Sequence, residues 1–439
     1  MKGGPPILIM EPAPLPRLCA TAEKLKQIGG LLPGQGEDLA EVKRRLREIR
    51  EQAAESVDRL VEELSRTLAT FYPGIKVKLA GDSREAVEYV TSVSGGSWVA
   101  TNHSAVISRE LRPGLEANGV KLVNSYFCEF QTKERGIADY WDLPRLTEKN
   151  LGFGFEVTRR LTGFLPRNGH QTSEYTALLG VNSVSASDGS VFFLQHFTNI
   201  YRDLEAARKV ILVVGLDKIV GTAEEAAFQA RCMGLFGAES MLFEVQPGAA
   251  PALPAERPEF PPSPSGRERE LHVIILDNGR RELAKGKFRE LFVCIGCRAC
   301  NQRCPIRHSF TVNWVWTPRN YLKQFLDRAV RTIDVCLHCE GCRLSCPLEI
   351  DLPHLMWEAK LDYVKKHGVP FSHMILGRPE LVAKAGSTAA PLSNLALRLR
   401  PVRLAMEFTA GIHRRVRMPE FAKETFAEWF SKAQQRGSE

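Results

Sequence analysis

The chain has 439 residues, of which 44% are hydrophobic and 25% are charged, and its formal net charge is +8. This composition is typical of a globular protein with two or three domains. The charge is too small for its length to indicate nucleic-acid binding, and no stretch has the roughly 20 apolar residues of a membrane span. The first residues, MKGGPPILIMEPAPLP, resemble neither a signal peptide nor an anchor. We therefore expect a cytoplasmic protein without a nucleic-acid partner.

Residues 1–245 are predicted to form an α/β domain. A long helix is expected over 37–71, because apolar residues recur there at three- and four-residue steps until Pro73-Gly74. Short β-branched runs then predict strands at 77–80, 98–101, 121–123, 191–194 and 210–214. Helices are predicted between them at 84–93, 104–118 and 223–234. This alternation indicates a mainly parallel sheet.

Residues 246–270 are dense in proline, which predicts an extended linker. Residues 271–370 follow as a second, helical domain. There Thr317 is expected to cap a helix that has Pro318 at its first position and runs to about Arg331. Another helix is expected from near Asp351 to near Gly368. Residues 371–439 form a predicted tail of amphipathic helices with many arginines.

Eight of the eleven cysteines occur in two copies of one spacing, C-x2-C-x2-C-x3-C, each followed by proline. The copies are Cys294, Cys297, Cys300 and Cys304, and Cys336, Cys339, Cys342 and Cys346. This is the spacing with which bacterial-type ferredoxins hold [4Fe–4S] clusters. Zinc remains the alternative, although it usually takes two C-x2-C pairs separated by a longer loop. Cys19, Cys128 and Cys232 are isolated and are expected to be buried or free thiols.

Two segments of the α/β domain, VNSVSASDGSVFFLQHFTNI and KVILVVGLDKIV, accompany the paired CxxCxxCxxxCP runs. Together they resemble the lactate-utilization (LUD) domain iron–sulfur family, and within it the B components of L-lactate utilization systems. The resemblance extends from about residue 37 to about residue 367. It implies a LUD α/β domain like coenzyme A transferases and ribose-5-phosphate isomerases, followed by an α-helical ferredoxin-like domain with two [4Fe–4S] clusters.

The resemblance to two-cluster ferredoxins also implies that the fourth cysteine of each run binds the other cluster. The first cluster would then take Cys294, Cys297, Cys300 and Cys346, and the second would take Cys336, Cys339, Cys342 and Cys304. The family implies an electron-transfer subunit of an oxidoreductase complex that oxidises L-lactate to pyruvate. Because no convincing flavin or nicotinamide site is found in the chain, we expect the two-electron chemistry on a partner subunit.

Two features depart from the family pattern. The spacer between the runs, 305–335, is short and is more similar to the C subunits of heterodisulfide reductase and anaerobic glycerol-3-phosphate dehydrogenase. The tail resembles a segment that leads into cysteine-rich CCG domains, but no such domain follows. A separate CCG-domain subunit is therefore an expected partner. A second LUD subunit or a flavin-containing subunit is a further candidate partner. Alternatively, the tail only covers the cluster domain. These departures favour a second hypothesis, an electron relay in a heterodisulfide-reductase-like or electron-bifurcating complex, with the LUD domain as a docking or ligand-sensing module.

The surroundings of the cysteines allow two readings. Arginines near a cluster raise its potential, but arginines on loops are more often simply solvated; the candidates are Arg298, Arg303, Arg307 and Arg343. Apolar wrapping is expected from Ile295, Ile306, Leu337, Leu348 and Ile350. His308 and His338 lie beside ligands but are not needed, because eight cysteines already complete two clusters.

The α/β domain contains two candidate parts of a ligand pocket. Thr101, Asn102, His103 and Ser104 lie where a strand leads into a helix, and ligands of such sheets bind at strand carboxyl ends. They are equally suited to capping that helix. Asp188, Gly189 and Ser190 could present backbone N–H groups to an anion, or they could form a tight hairpin turn.

Overall fold

The structure is a computed structural model. It describes residues 5, 7–10, 39–102, 104–124, 175–194, 200, 203–204, 207–237, 255–257, 269–301, 303–306, 317–330, 332–369 and 371–436. These residues form two units, 1–356 and 357–439.

The larger unit contains a six-stranded parallel sheet with the strand order β2-β11-β8-β5-β3-β4. Its strands are β2 (Lys76–Ala80), β3 (Val99–Thr101), β4 (Leu122–Asn124), β5 (Thr176–Gly180), β8 (Lys209–Gly215) and β11 (Glu270–Leu276). The central strands β5, β8 and β11 are almost continuously apolar and buried, as expected of parallel strands covered on both faces. This confirms the predicted α/β class with a parallel sheet.

A second sheet has five strands in the order β10-β1-β7-β6-β9. They are β1 (Ile7–Met10), β6 (Ser183–Ser185), β7 (Val191–Leu194), β9 (Ile219–Val220) and β10 (Ala255–Arg257). Two of its pairings are parallel, β1 with β7 and β6 with β9. The other two are antiparallel, β1 with β10 and β6 with β7.

Helices pack on the sheets through apolar faces. Those before the cysteine runs are Leu39–Glu55, Val57–Phe71, Ser83–Ser94, Val106–Leu111, Arg112–Ala117, Ala223–Phe236, Arg280–Lys285 and Glu290–Val293. One core cluster joins residues of the helix Ser83–Ser94, such as Val90, to sheet residues such as Ile211 and Ile274. Burial of these apolar surfaces is the main force that holds the helices against the parallel sheet.

The local predictions agree well with the structure. All five predicted strands are present with bounds that differ by at most one residue. The predicted helix 37–71 is two helices, because Ser56 has φ −107° and ψ 19°, outside the helical region. The predicted helix 104–118 contains a π-helical part, Val106–Leu111, before Pro113, which has no N–H group for regular helical bonding.

The predicted boundary between the α/β domain and the cluster domain needs a correction. β11 follows the proline-rich segment 246–270 and was expected at the start of the cluster domain, yet it lies between β2 and β8 in the parallel sheet. Glu270 is its first residue, and Ala255–Arg257 within the same segment forms β10. The sheet takes the run ELHVIIL because its almost wholly buried side chains complete the apolar core.

The region of the cysteine runs contains short elements. The helix Pro318–Leu326 begins at Thr317, whose side chain accepts a hydrogen bond from the Asn320 N–H at 3.1 Å, so the predicted cap is confirmed. The helix Gly341–Leu344 lies within the second run, and the helix Leu352–His367 begins where it was predicted. Its Asp351 side chain accepts from the His354 N–H at 3.0 Å.

The smaller unit is helical. Its helices are Phe371–Leu376, Pro379–Thr388, Leu392–Ala396, Arg400–Ala410 and Phe426–Arg436. Arg403, in the helix Arg400–Ala410, is buried and donates to the carbonyl oxygens of His413 and Arg414 at 3.3 Å. Part of the predicted basic character of the tail therefore stabilises the tail itself.

Candidate functional site

A cleft lies at the carboxyl ends of three neighbouring strands of the parallel sheet. The ends of β5 and β8, at Gly180 and Gly215, line it, together with Asn102 directly after β3. Residues of the first cysteine run and of the start of the helix Pro318–Leu326 also line it. The cleft has a volume of ≈ 160 Å³. Carboxyl ends of parallel strands are the usual ligand position in open α/β sheets.

Asn102 and Ser104 are two of the predicted pocket residues, and both line this cleft. Asn102 is buried and joins β3 to β5: its Nδ2 donates to the Gly180 carbonyl at 2.9 Å, and its Oδ1 accepts from the Gly180 N–H at 3.0 Å. Thr101 is buried but is not part of the lining. His103 lies outside the described residues. Whether this group binds a ligand stays a prediction.

Asp188, Gly189 and Ser190 lie elsewhere, in the turn between the antiparallel strands β6 and β7. The Asp188 carboxylate accepts from the Ser190 N–H at 3.1 Å and from its hydroxyl at 2.6 Å. Gly189 has φ +77°, and a Cβ there would come within 3.2 Å of Leu68. The structure therefore does not bring these three residues to the cleft, and the hairpin-turn interpretation describes their geometry.

A buried ionic network forms one wall of the cleft. Arg280, just after β11, donates to Glu110 at 2.7 and 2.9 Å and also binds Asp217. Asn278 donates to the same Glu110 carboxylate at 2.7 Å. Burial alone would raise the pKa of Asp217, but the charges of Lys218, Arg280 and Arg319 outweigh it and hold that pKa below its usual range. For Glu110, burial is likewise outweighed, by the charge and hydrogen bond of Arg280 and by the hydrogen bond of Asn278, so its pKa is lowered as well.

The first cysteine run is attached directly to the α/β core. Lys218 pairs with Asp217 at 3.0 Å, and its Nζ also donates to the Ile295 carbonyl at 3.3 Å. From the other side, the fully buried Arg50 donates to the Phe292 carbonyl at 2.8 Å and to the Val293 carbonyl at 3.0 Å. These contacts fix the chain on both sides of Cys294.

The two cysteine runs share a backbone conformation. In the first, Gly296 and Arg298 have positive φ (78° and 64°); in the second, His338 and Glu340 occupy the equivalent positions with φ 50° and 61°. The Gly296 N–H donates to Cys294 Sγ at 3.4 Å, and the His338 N–H donates to Cys336 Sγ at 3.5 Å. Left-handed residues in such loops turn successive N–H groups toward a common point, which suits an anionic group.

The thiols fall into two neighbourhoods. Burial is the main cause that raises the pKa of Cys297, followed by the negative charges of Cys346, Cys294 and Cys300. Burial likewise raises the pKa of Cys346 to about 11, and the negative charge of Cys294 contributes to this increase.

In the second neighbourhood, burial raises the pKa of Cys342 to about 12, and the charges of Cys336 and Cys304 add to this effect. Burial also raises the pKa of Cys336, and the negative charges of Cys304 and Cys339 raise it further. Each neighbourhood therefore contains three cysteines of one run and the last cysteine of the other. A weaker effect of Cys342 on Cys300 indicates that the two neighbourhoods are close.

The donor set suits iron–sulfur clusters in chemistry and in surroundings. Five of the eight thiols are buried: Cys297, Cys300, Cys304, Cys342 and Cys346. Among the residues that the structure describes, no group of three or more His, Cys, Asp or Glu side chains has the spacing of a site for a metal ion. Cluster ligation stays a prediction.

The predicted apolar wrapping is mostly in place. Ile295, Ile306, Leu348 and Ile350 are buried, whereas Leu337 is exposed. Of the predicted arginines, Arg343 pairs with Glu340 at 3.4 Å and with Asp351 at 3.3 Å on the surface. Arg298 lines the cleft.

Four further residues named in the sequence analysis lie outside the described part of the chain, and the predicted buried thiol Cys232 is confirmed. Arg307 and His308 lie outside the described residues, as do Cys19 and Cys128. Cys232 is buried in the helix Ala223–Phe236, away from both cysteine runs in sequence.

Sequence reasoning missed most of the cleft wall. Gly180, Gly215, Asp217, Arg280 and Arg319 come from separate parts of the chain, and only the strand pairing brings them together. One usable signal was present, since Gly180 and Gly215 both end strands of the sheet. A Cβ at Gly215 would lie 2.6 Å from Asp217 Oδ1 and 2.8 Å from Arg280 Nε, so the network needs glycine at this strand end.

The described helices include none with both the length and the hydropathy that a membrane crossing requires. In comparisons with known proteins, no family model matches the chain. No solved structure matches it either.

Curated proteins do match. The chain is 25% identical over 283 residues to Lactate utilization protein B of Bacillus cytotoxicus, covering 60% of this chain and 57% of that protein. It is 25% identical over 285 residues to Lactate utilization protein B of Bacillus licheniformis, again covering 60% of this chain and 57% of that protein. It is 23% identical over 279 residues to Lactate utilization protein B 1 of Bacillus mycoides, covering 60% of this chain and 56% of that protein. The chain thus spans just over half the length of these relatives. Over about 60% of its own length, it is similar in sequence to proteins named for lactate utilization.

Proposed function

We propose that this protein is an iron–sulfur electron-transfer subunit of a cytoplasmic oxidoreductase complex that oxidises L-lactate to pyruvate. The observation that carries the proposal is the arrangement of the eight thiols in two neighbourhoods, each with three cysteines of one run and the last cysteine of the other. This is the ligand pattern of two-cluster ferredoxins.

Each neighbourhood would hold one [4Fe–4S] cluster. The first would use Cys294, Cys297, Cys300 and Cys346, and the second would use Cys336, Cys339, Cys342 and Cys304. When bound, such clusters supply one-electron transfer. The chain contributes the left-handed loops, the N–H groups directed at sulfur and the apolar wrapping, which fix the ligands and limit the access of water.

Lactate is proposed as the substrate of the complex because the chain is similar to proteins named Lactate utilization protein B. Removal of two electrons from lactate normally requires a hydride acceptor. That acceptor would be on a partner, for which a separate CCG-domain subunit, a second LUD subunit and a flavin-containing subunit are the candidates. The two clusters would then carry electrons singly from one partner to the next.

A relay in a heterodisulfide-reductase-like or electron-bifurcating complex is the second candidate function. It is favoured by the short spacer of residues 305–335, which is more similar to the C subunits of heterodisulfide reductase. In that case the cleft of the α/β part would serve docking or ligand sensing.

Purification from the native host under anaerobic conditions, followed by mass spectrometry of the co-purifying proteins, tests the proposal. We expect a CCG-domain protein and a second LUD protein, and reduction of the clusters when L-lactate is added to that complex. A variant with Cys342→Ser should lose this reduction, and the matched Cys232→Ser should retain it. Clusters that stay oxidised with lactate, in a complex that contains a hydrogenase or a heterodisulfide-reductase subunit, would favour the relay function.

A further inference from the structure

The two proposed cluster sites differ in how far they are enclosed. Three of the proposed ligands of the first cluster, Cys297, Cys300 and Cys346, are buried and Cys294 is partly buried, whereas Cys339 of the second is exposed. One-electron reduction of a bound [4Fe–4S] cluster, with the electron supplied by a partner subunit, adds one negative charge, and burial disfavours added charge. The first cluster would therefore be hard to reduce unless the chain supplies groups that stabilise that charge.

Asn301 is a buried amide that directly follows one of these ligands. It ends the short turn Ala299–Asn301, next to Cys300. The side chain is fully buried, and neither its Nδ2 nor its Oδ1 has a hydrogen-bond partner in the part of the chain that the structure describes. Buried polar groups are normally hydrogen-bonded, and an exception indicates a redox role or a bound group that supplies the partner.

Arg319 provides further donors near the same cysteine. Its Nε is buried and has no partner among the described residues. Its Nη1 and Nη2 make only long contacts, at 3.4 Å to Asn320 Oδ1 and at 3.3 Å to the Leu291 carbonyl. The backbone N–H of Arg319 donates to the sulfur of Cys300. Because Arg319 is the second residue of the helix Pro318–Leu326, the partially positive end of this helix lies at that sulfur.

The position equivalent to Asn301 in the second run has a different environment. It is Arg343, which is exposed and pairs with Glu340 at 3.4 Å and with Asp351 at 3.3 Å. Its donors are therefore engaged by carboxylates at the surface. Within the described ranges, a buried donor without a partner directly after a third cysteine occurs in the first run only.

We infer that the side chains of Asn301 and Arg319 donate hydrogen bonds to sulfur atoms of the first cluster and raise its reduction potential. The inference rests on the proposed function and extends it, because it assigns to two residues the task of keeping the enclosed cluster reducible. Donors to sulfur and nearby cations stabilise the more negative reduced state. Arg319 lines the same cleft as Cys294, Cys297 and Cys300, so its charge lies beside three ligands of that cluster.

A redox titration of the full-length, iron-loaded protein, followed by electron paramagnetic resonance, tests the inference. The signal of the first cluster is identified by its loss in Cys294→Ser. Asn301→Leu and Arg319→Met should each lower the midpoint potential of that cluster. At a fixed potential, the ratio of its reduced to its oxidised form should fall about tenfold, which is 59 mV for one electron. The potential of the second cluster should change clearly less.

Two further variants separate this effect from a general one. Arg319→Lys keeps a positive charge and a donor, so its potential should lie between those of Arg319→Met and the unmodified protein. Arg328→Met is the matched control on the exposed surface after the same helix, and should leave both potentials unchanged. Iron analysis shows which variants hold both clusters, and if Asn301→Leu or Arg319→Met loses iron, the other variant decides.

The outcomes distinguish this inference from the proposed function. An unchanged potential of the first cluster in Asn301→Leu or Arg319→Met, at full iron content, overturns the inference and leaves the electron-transfer proposal standing. Equal shifts of the two clusters also overturn it, because the two side chains would then act through the fold as a whole. An unmodified protein that takes up no iron contradicts both proposals.

Discussion

Arg50 connects the N-terminal helix to the chain just before the first cysteine run. It is fully buried, and besides the carbonyls of Phe292 and Val293 it donates to Gln229 Oε1 at 3.0 Å. Burial lowers its pKa, with Asp217 and Cys294 acting in the opposite direction. A cation enclosed in this way is kept because three acceptors would otherwise be buried without a donor.

Arg50→Met should therefore destabilise the fold by about 3 kcal/mol, the cost of leaving buried acceptors unpaired. The measurement is the free energy of unfolding in urea. Arg59→Met is the control, since Arg59 lies exposed on the helix Val57–Phe71 and only pairs with Glu63 at 3.0 Å. An equal loss of stability in the two variants would show that the buried hydrogen bonds of Arg50 do not stabilise the fold more than an exposed ion pair does.

Gly180 gives a second test at a single residue. An alanine there would place its Cβ 2.1 Å from Ser104 Oγ and 2.4 Å from Ser104 Cβ. Gly180→Ala should cost roughly 1–3 kcal/mol of stability, as overpacking of a tight site does. Ser104→Gly removes both clashing atoms, so Gly180→Ala should cost clearly less in that background than alone. Additive effects in this double-mutant cycle would rule out the close approach of Ser104 to the strand end.

At the scale of elements, local signals in the sequence were sufficient where an element depends on its own residues. β-branched runs predicted β2, β3, β4, β7 and β8, and a Thr-Pro pair predicted the start of the helix Pro318–Leu326. The short strands β6 and β9, of three and two residues, were not predicted from the sequence. They exist through their neighbours in the second sheet rather than through propensity.

The cap of the helix Pro318–Leu326 is also relevant to the cleft, because Thr317 and Arg319 both line it. Thr317→Ala should lower the stability by about 1 kcal/mol, since the Asn320 N–H loses its acceptor. Thr317→Ser keeps a hydroxyl at that position and is the control. The midpoint of thermal unfolding compares the two; if both variants unfold at the same temperature, the side-chain cap is not what stabilises this helix start.

At the scale of the whole molecule, pairing between distant segments determined what the sequence could not reveal. β11 pairs with β2, about 200 residues earlier, across a proline-rich segment that resembles a domain linker. The same long-range pairing assembles the cleft from Glu110, Asp217 and Arg280. The cysteine runs were recognisable because the spacing of ligands within one run is a local property.

The central claim is that the eight cysteines bind two [4Fe–4S] clusters, with Cys304 and Cys346 exchanged between the runs. Iron analysis of two double variants, after anaerobic reconstitution, tests it most directly against an expected content of about eight iron atoms per chain. Cys304→Ser with Cys336→Ser should remove ligands of one cluster only and keep about four iron atoms, whereas Cys304→Ser with Cys294→Ser should remove ligands of both and keep none. The reverse result would mean that each run binds its own cluster, and an unmodified protein that binds zinc instead of iron would contradict the claim altogether.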